Sequence, residues 1–320
     1  MSYTLCKTLS IVVPCYNEST CIRDFFIALR ETCEQYLQYK YEFIFVNDGS
    51  NDSTQKELEV IASGDGRVKL IEFSRNFGKE AALTAGLRAS TGDMVVPIDS
   101  DLQHPPSVIF ELVERFKKGD VDVVIAKRRS RNTESLVYKT CTKLFYDVQS
   151  LISECDMPRD AGDFRLMSRE VTDVLSSLPE NRRFMKGLYA WVGFRSAFVE
   201  YDVAERIGGN SKFGGMKLLS LAANGILDFS SFPLRMWMWL GFIVSFVAFI
   251  YGIWIIARTL IIGIDTPGWA TLMVVVLFLG GIQLISIGVL GEYIGRVYSQ
   301  IKGRPTYIIR SSSSVKDSDE

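Results

Sequence analysis

The segment Asp99-Ser-Asp-Leu-Gln-His-Pro-Pro106 sets two carboxylates one residue apart, directly after the apolar run Met94–Ile98. Alternate side chains of an extended chain point the same way, so Asp99 and Asp101 can face one point in space. Unaided, two such carboxylates repel and one pKa rises. A divalent cation removes the conflict, since Mg2+ and Mn2+ prefer oxygen ligands and commonly share them with a substrate phosphate. The plainer alternative is a polar turn capping a helix that starts near Pro105. His104, the single histidine of the chain, stands beside the pair and reads as a loop or cap residue more readily than as a ligand.

The elements that must position this pair are legible as alternating runs. Leu9–Val13, Tyr41–Val46, Val68–Phe73, Met94–Ile98 and Val121–Ala126 read as strands. Ser19–Gln38, Ser53–Ala62, Lys79–Ala89 and Pro106–Lys118 have helical composition between them. Such alternation predicts an α/β fold with a mostly parallel sheet covered on both faces. Ligands bind such sheets outside the carboxyl ends of the strands. The polar segments PCYNES, VNDGSNDST, SRNFGKE and DSDLQHPP all fall at those ends, so four loops on one edge make a site. Asp48, after the second strand, could accept a base or ribose hydrogen bond; the alternative is a plain turn with Asp and Ser caps. Neither G-x-x-x-x-G-K-[ST] nor G-x-G-x-x-G is present, so a nucleotide here is held in another way. After Ala126 the pattern is less regular, with a turn marked by Pro179.

The chain has 320 residues, enough for one sizeable domain and an addition. A net charge of -1 argues against a general nucleic-acid binder. The mean hydropathy of +0.14 is raised locally. Trp237–Ala257 and Trp269–Leu290 contain no charged residue, and each reaches the ~20 apolar residues that a transmembrane helix needs. Arg235 precedes the first run; Arg296, Lys302, Arg304 and Arg310 follow the second, and Arg258 is the one basic residue between them. The positive-inside rule then puts both ends in the cytoplasm, joined by a short outer loop. The N-terminus is too soon interrupted by Pro14 and Glu18 for a signal peptide. The six cysteines form no C-x-x-C pair and read as reduced packing residues. Ser211–Phe232 is mildly amphipathic and could lie in the membrane interface. The tail Ser311–Glu320 reads as disordered. The expected division is therefore a cytosolic α/β domain over 1–210, interfacial helices over 211–232, two spans over 233–300 and a cytosolic tail over 301–320.

Five ordered motifs, Pro14-Cys-Tyr-Asn-Glu18, Val46-Asn-Asp-Gly-Ser50, Arg75-Asn-Phe-Gly-Lys79, Asp99-Ser-Asp-Leu-Gln103 and Gly162-Asp-Phe-Arg-Leu166, resemble the GT-A family 2 glycosyltransferases. The polyprenyl-phosphate branch, with its dolichyl-phosphate mannose synthases and bactoprenol glucosyltransferases, is the more similar part. GEYIGRVYSQIKGRPTYIIR after the second apolar run resembles its two-span bacterial members. The resemblance covers nearly the whole chain and implies a GT-A (Rossmann-like) domain followed by two transmembrane helices in the cell membrane. It implies that Asp48 reads the nucleobase, that Pro14, Tyr16 and Glu18 line the nucleotide pocket, and that Arg75 and Lys79 belong to the donor site. Asp99 and Asp101 match the metal-binding D-x-D, with Gln103 as a further ligand of Mg2+ or Mn2+. Arg206, Ser211 and Lys212 match a segment near the donor diphosphate and the membrane. Arg128 or Arg129, with Lys139 or Lys143, fall where the branch binds the acceptor phosphate; a solvated or headgroup-facing charge run is the alternative for each.

The reaction so implied moves a hexose, with inversion, from a nucleotide diphosphate sugar to a polyprenyl (undecaprenyl) phosphate. UDP-glucose is the favoured donor; a dolichyl-phosphate-mannose-type synthase using GDP-mannose is the alternative. The leaving diphosphate needs a cation, and the acceptor phosphate is already anionic, so a strong base is less necessary. Asp163, or its neighbour Asp160, is the candidate to orient the acceptor or take a residual proton, against a structural role in bonding Arg165 or a loop backbone. A non-catalytic nucleotide-sugar-binding membrane scaffold would not need the intact D-x-D. A flippase would need more spans, and a processive synthase a better Q-x-x-R-W segment than NRRFMKGLYAW. Assembly into a homo-oligomer is compatible with all of these.

Overall fold

Each expected strand and helix of the first 118 residues is found in a computed structural model, which describes residues 7–129, 161–181, 183–202, 232–262 and 268–313. In order these are β1 (Thr8–Cys15), α1 (Ile22–Glu34), β2 (Lys40–Asn47), α2 (Thr54–Gly64), β3 (Val68–Phe73), α3 (Lys79–Ala89), β4 (Met94–Pro97) and α4 (Val108–Phe116). Then come β5 (Val123–Arg128), β6 (Ala161–Ser168), α5 (Arg169–Ser177), α6 (Met185–Trp191), β7 (Ser196–Tyr201), α7 (Phe232–Ile262), α8 (Trp269–Ile301) and β8 (Ile309–Ser313). The chain divides into two compact units, Met1–Leu219 with Arg304–Glu320, and Ser220–Gly303.

The apolar runs of β1 and β2 are buried almost throughout, as strands covered on both faces must be. Among the described residues the strands form one sheet in the order β7-β5-β6-β4-β1-β2-β3-β8. β1, β2, β3 and β4 are parallel to one another. β6 lies antiparallel between β4 and β5, and β7 runs parallel to β5. Helix α1 buries Ile22, Phe25, Phe26, Leu29 and Cys33 along one stripe. Phe26 meets Phe43 and Phe45 edge-on, with ring centroids 5.6 and 5.8 Å apart. Each such fully buried side chain is worth roughly 1.5–3 kcal/mol. α3 crosses β1 so closely that a Cβ on Gly86 would lie 2.2 Å from Val12 Cγ1. At the opposite end of the strands from the polar loops, buried Glu42 takes Ser10 Oγ, Thr91 and Lys69 as partners. Burial alone would raise its pKa, but these partners hold it below the ordinary value.

Two expectations change here. The tail read as disordered contributes Ser311–Ser313 to β8, which pairs antiparallel with β3 and has Arg310 and Ser311 on Glu72. Short polar side chains hid this strand, since it is an exposed edge with no apolar alternation to read. Both apolar runs are helical, within α7 and α8, yet only Phe278–Ile301 among the described residues is long and apolar enough to cross a membrane. It extends past the expected run and includes the Arg296–Glu292 ion pair. Trp239, Phe242, Phe246 and Phe249 on α7 and Leu284 and Ile287 on α8 are exposed. The interfacial segment 211–232 lies outside the described residues except for its last residue.

Candidate active site

Parallel strands deliver the loops after β1, β2, β3 and β4 to one edge of the sheet. The antiparallel β6 brings its first residues there as well. Its pairing with β4, Met94 with Ser168 and Val95 with Met167, carries Asp99 level with Asp163 when continued. Lys79, the first residue of α3, reaches both. Its Nζ lies 2.7 and 2.9 Å from the two oxygens of Asp99 and 2.9 Å from Asp163 Oδ2. Burial pushes the Asp99 pKa up, but Lys79 and then His104 outweigh it and hold the carboxyl well below the carboxylate range. Burial likewise works against the charge on Lys79, and Asp99 and Asp163 overcome it. Among the described residues, Asp163 Oδ1 is buried without a hydrogen-bond partner. The bond from Asp163 to Arg165 that the sequence left open is not made; Arg165 instead donates to Gly162 O at 2.7 Å.

The D-x-D loop is a tight turn in which the Gln103 N–H donates to Asp101 Oδ1 at 3.1 Å. Leu102 takes the left-handed conformation, φ 57°, which is costly for a bulky residue and is held by its surroundings. Among the described residues no three His, Cys, Asp or Glu side chains come together as a metal cage. Mg2+ needs no such cage, because one or two carboxylates and substrate phosphate oxygens suffice. Asp99 already holds a cationic group, the ammonium of Lys79. The residues present therefore fit a divalent ion that arrives with a diphosphate.

The cap of the following helix is Ser107, and His104 is a loop residue, one of its two expected roles. It is 3% exposed, against Phe164 and Tyr201, and its Nδ1 lies 2.6 Å from Tyr201 Oη. Strand alternation separates the two arginines at the end of β5. Arg128 turns toward the site, with Nη2 3.5 Å from His104 Nε2. Arg129 is paired with Asp202 at 3.2 Å and with Glu200 at 3.7 Å.

Of the nucleotide-pocket residues, Asp48 is 3% exposed and accepts from the N–H groups of Phe77 and Gly78, at 2.7 and 2.9 Å. Burial raises its pKa and these two bonds oppose the rise. Asp48 thus locks the loop that carries Arg75 and Lys79. Arg75 lies over the Phe77 ring, 4.6 Å from its centroid. Gly49, at φ 62°, lets the two loops touch, since a Cβ there would stand 2.3 Å from Arg75 C. Asn17 and Glu18 are joined to Ser50, Asn51 and Thr54 through three hydrogen bonds, and Tyr16 and Pro14 lie beside them at the end of β1. Asp160, Lys139, Lys143, Arg206, Ser211 and Lys212 lie outside the described residues.

Sequence reasoning missed a half-buried carboxyl behind Lys79. Glu80 Oε2 accepts from the N–H of Met185 at 3.0 Å, joining α3 to the start of α6. Burial first, then the charge of Asp163, push its pKa up to about 7. Tyr189 of α6 lies under Arg165, 3.6 Å from guanidinium carbon to ring centroid. Among the described residues, Tyr189 Oη and Arg165 Nε are buried without hydrogen-bond partners. Nothing in Lys79-Glu80 signals that the second residue points inward. Only the packing of α6 reveals it.

Comparison with known proteins bears on the whole arrangement. The model of glycosyl transferase family 2 matches residues 10–175, and that of the GtrB C-terminal hairpin matches residues 232–297. A prophage bactoprenol glucosyl transferase homolog of Escherichia coli (strain K12) is 48% identical over 302 residues, 94% of this chain and 98% of its own. The bactoprenol glucosyl transferase of Shigella phage SfII is 47% identical over 304 residues, 95% and 98% of the two chains. An uncharacterized glycosyltransferase of Synechocystis is 47% identical over 301 residues, 94% of each. A crystal structure of glucosyl-3-phosphoglycerate synthase from Mycobacterium tuberculosis, with Mn2+, uridine diphosphate and phosphoglyceric acid, covers 69% of this chain and 76% of its own. At 22% identity and a TM-score of 0.50, it is a likeness of fold.

Proposed function

The chain belongs to glycosyl transferase family 2, and we propose that it is a membrane-bound enzyme moving glucose, with inversion, from UDP-glucose to a polyprenyl phosphate such as undecaprenyl phosphate. The observation that carries this reading is the convergence of Asp99, Lys79, Asp163 and Arg128 at one edge of the sheet. Near full-length identity to proteins named bactoprenol glucosyl transferase supports the sugar and the lipid.

In this reading Pro14, Tyr16, Glu18, Asp48 and Arg75 receive the nucleotide, and the loops tied by Asp48 fix their spacing. Asp99, Asp101 and Gln103 would hold Mg2+ or Mn2+, which when bound offsets the charge that develops on the departing diphosphate. Lys79 supplies a second positive charge at the same place. The acceptor oxygen bonds to the sugar carbon as the bond from that carbon to the diphosphate breaks, and UDP leaves. A phosphate monoester has a second pKa near ~6, so the attacking oxygen brings no proton that must be removed. Asp163, bound to the Lys79 ammonium at the same edge, is placed to orient the acceptor. Arg128, with Lys139 or Lys143, grips the acceptor phosphate; Arg206, Ser211 and Lys212 attend the donor diphosphate, and Asp160 is the alternative to Asp163.

The two helices are proposed as paired spans over 233–300, with catalytic domain and tail on the cytoplasmic side. Support comes from β8. Residues before and after the helices belong to one folded unit, so the chain crosses a bilayer an even number of times. The basic residues Arg235, Lys302, Arg304 and Arg310 favour the cytoplasmic side for both ends.

Purified protein offered labelled UDP-glucose, GDP-mannose and a UDP-pentose in turn, with undecaprenyl phosphate, tests the substrate assignment. Label should enter the lipid from UDP-glucose. Label entering from GDP-mannose alone would replace that assignment with a mannose synthase.

A further inference from the structure

Helix α8 ends at Ile301, and from Arg304 the chain belongs again to the unit that carries the candidate site. On its way into β8 it meets the loop that delivers Arg75 and Lys79. Ile308 O accepts from the N–H of Ser74, the first residue after β3, at 3.0 Å. Tyr307 lies flat on Phe73, with ring centroids 4.9 Å apart and planes 11° apart. Phe73 is buried and meets Phe77 at right angles, 5.8 Å between centroids. Arg75 in turn lies over the Phe77 ring. Arg88, in the last turn of α3, stands 6.0 Å from the Tyr307 ring. One residue thus meets both the loop before Lys79 and the helix that Lys79 begins.

The loop is fixed at two ends. Asp48 takes the N–H groups of Phe77 and Gly78 beside Lys79, while Ile308 and Tyr307 hold the start. Ser74, Arg75 and Asn76 between these ends are exposed. A flat aromatic pair contributes beyond the area that it buries. Without Tyr307 one face of Phe73 opens to water, and covering it again would need Phe77 to move over it. Such a move draws Arg75 and the two bonds to Asp48 along with it.

We propose that Tyr307 is a positioning residue for the donor: the segment that follows α8 sets the 74–78 loop, and with it Arg75 and Lys79, by acting through Phe73 and Phe77. This rests on the functional reading above. Donor affinity therefore depends on chain from both sides of α7 and α8. The acceptor site, built on β5 with Arg128, does not share that dependence.

The test is equilibrium binding of UDP-glucose to the full-length protein in detergent, with transfer kinetics alongside, for wild type, Tyr307→Ala, Tyr307→Phe and Ser313→Ala. Ser313 is the control, since its Oγ takes the N–H of Leu70 at 3.1 Å, at the end of β8 away from the loop. Tyr307→Ala should weaken UDP-glucose binding and raise the donor KM by roughly threefold to tenfold, the scale of one aromatic pair, with the acceptor KM kept. Tyr307→Phe keeps the stack and should bind as the wild type does. Ser313→Ala should leave donor binding unchanged whatever it does to the melting temperature, and a purely structural Tyr307 would behave in the same way. If Tyr307→Ala does not fold, Tyr307→Leu, which covers Phe73 without a flat ring, decides by the same shift. Wild-type donor affinity in the folded Ala or Leu variant overturns the inference by itself, as does an equal rise in acceptor KM. A Tyr307→Phe defect as large as that of Tyr307→Ala also overturns it, because the hydroxyl and not the stack would then matter. Failure of the wild type to bind UDP-glucose, GDP-mannose or a UDP-pentose overturns the functional reading, and this inference with it.

Discussion

At Lys79 one ammonium lies between carboxylates that are far apart in sequence, Asp99 and Asp163. The D-x-D was legible because its residues are contiguous and end an apolar run. The link to Asp163 was not, because β6 enters the sheet against its neighbours and no local pattern encodes that. The choice between Arg128 and Arg129 belongs to this scale too. Arg128→Ala should raise the acceptor KM roughly tenfold to a hundredfold, the ~1.5–3 kcal/mol of a charged hydrogen bond, with little change in donor KM. Arg129→Ala should change it little, since exposed ion pairs contribute under about 1 kcal/mol. Equal acceptor defects in both variants would refute the separation. Glu80 gives a pH signature. Its pKa in the folded chain, about 7, is above the ordinary 4.5. Between these values the folded state keeps a proton that the unfolded chain releases, so the Glu80 contribution to stability falls as pH rises through the window and is level above it. Thermal unfolding of wild type and Glu80→Gln should show the variant gaining on the wild type from pH 4.5 to 7, by at most about 3 kcal/mol. A constant difference would mean that Glu80 titrates normally.

The elements before Lys118 were readable because buried parallel strands and amphipathic helices write their periods into the sequence. β6, β7 and β8 were not. β7 is a half-exposed edge, β8 is mostly serine, and β6 carries polar residues where it reaches the site. The contact between the β2–α2 and β3–α3 loops also escaped notice, because a glycine in a polar loop has many readings. Gly49 has one here. Gly49→Ala meets both a left-handed backbone, φ 62°, and the Arg75 main chain. Stability should drop by about 1–3 kcal/mol for the backbone conformation, with more for the displaced loop, and the donor KM should rise. An alanine variant with wild-type melting temperature and donor KM would show that the two loops need not touch.

For the whole molecule, the return of the chain from Ser220–Gly303 to the catalytic sheet through β8 governs topology. In cells, Thr266→Cys should react with an impermeant thiol reagent from outside, and Ser318→Cys only after permeabilisation. Labelling of Ser318→Cys in intact cells would reverse the orientation. The central claim is that the strand-end carboxylates and their cation carry out transfer to a lipid phosphate on this membrane-bound chain. The most direct measurement is label recovered in lipid from UDP-[14C]glucose and undecaprenyl phosphate, by wild type and Asp101→Ala reconstituted in liposomes and matched for melting temperature. The account predicts labelled lipid from the wild type, loss on chelation with recovery on adding Mg2+ or Mn2+, and none from Asp101→Ala. Wild-type transfer by a folded Asp101→Ala protein, or full activity after exhaustive chelation, would contradict it.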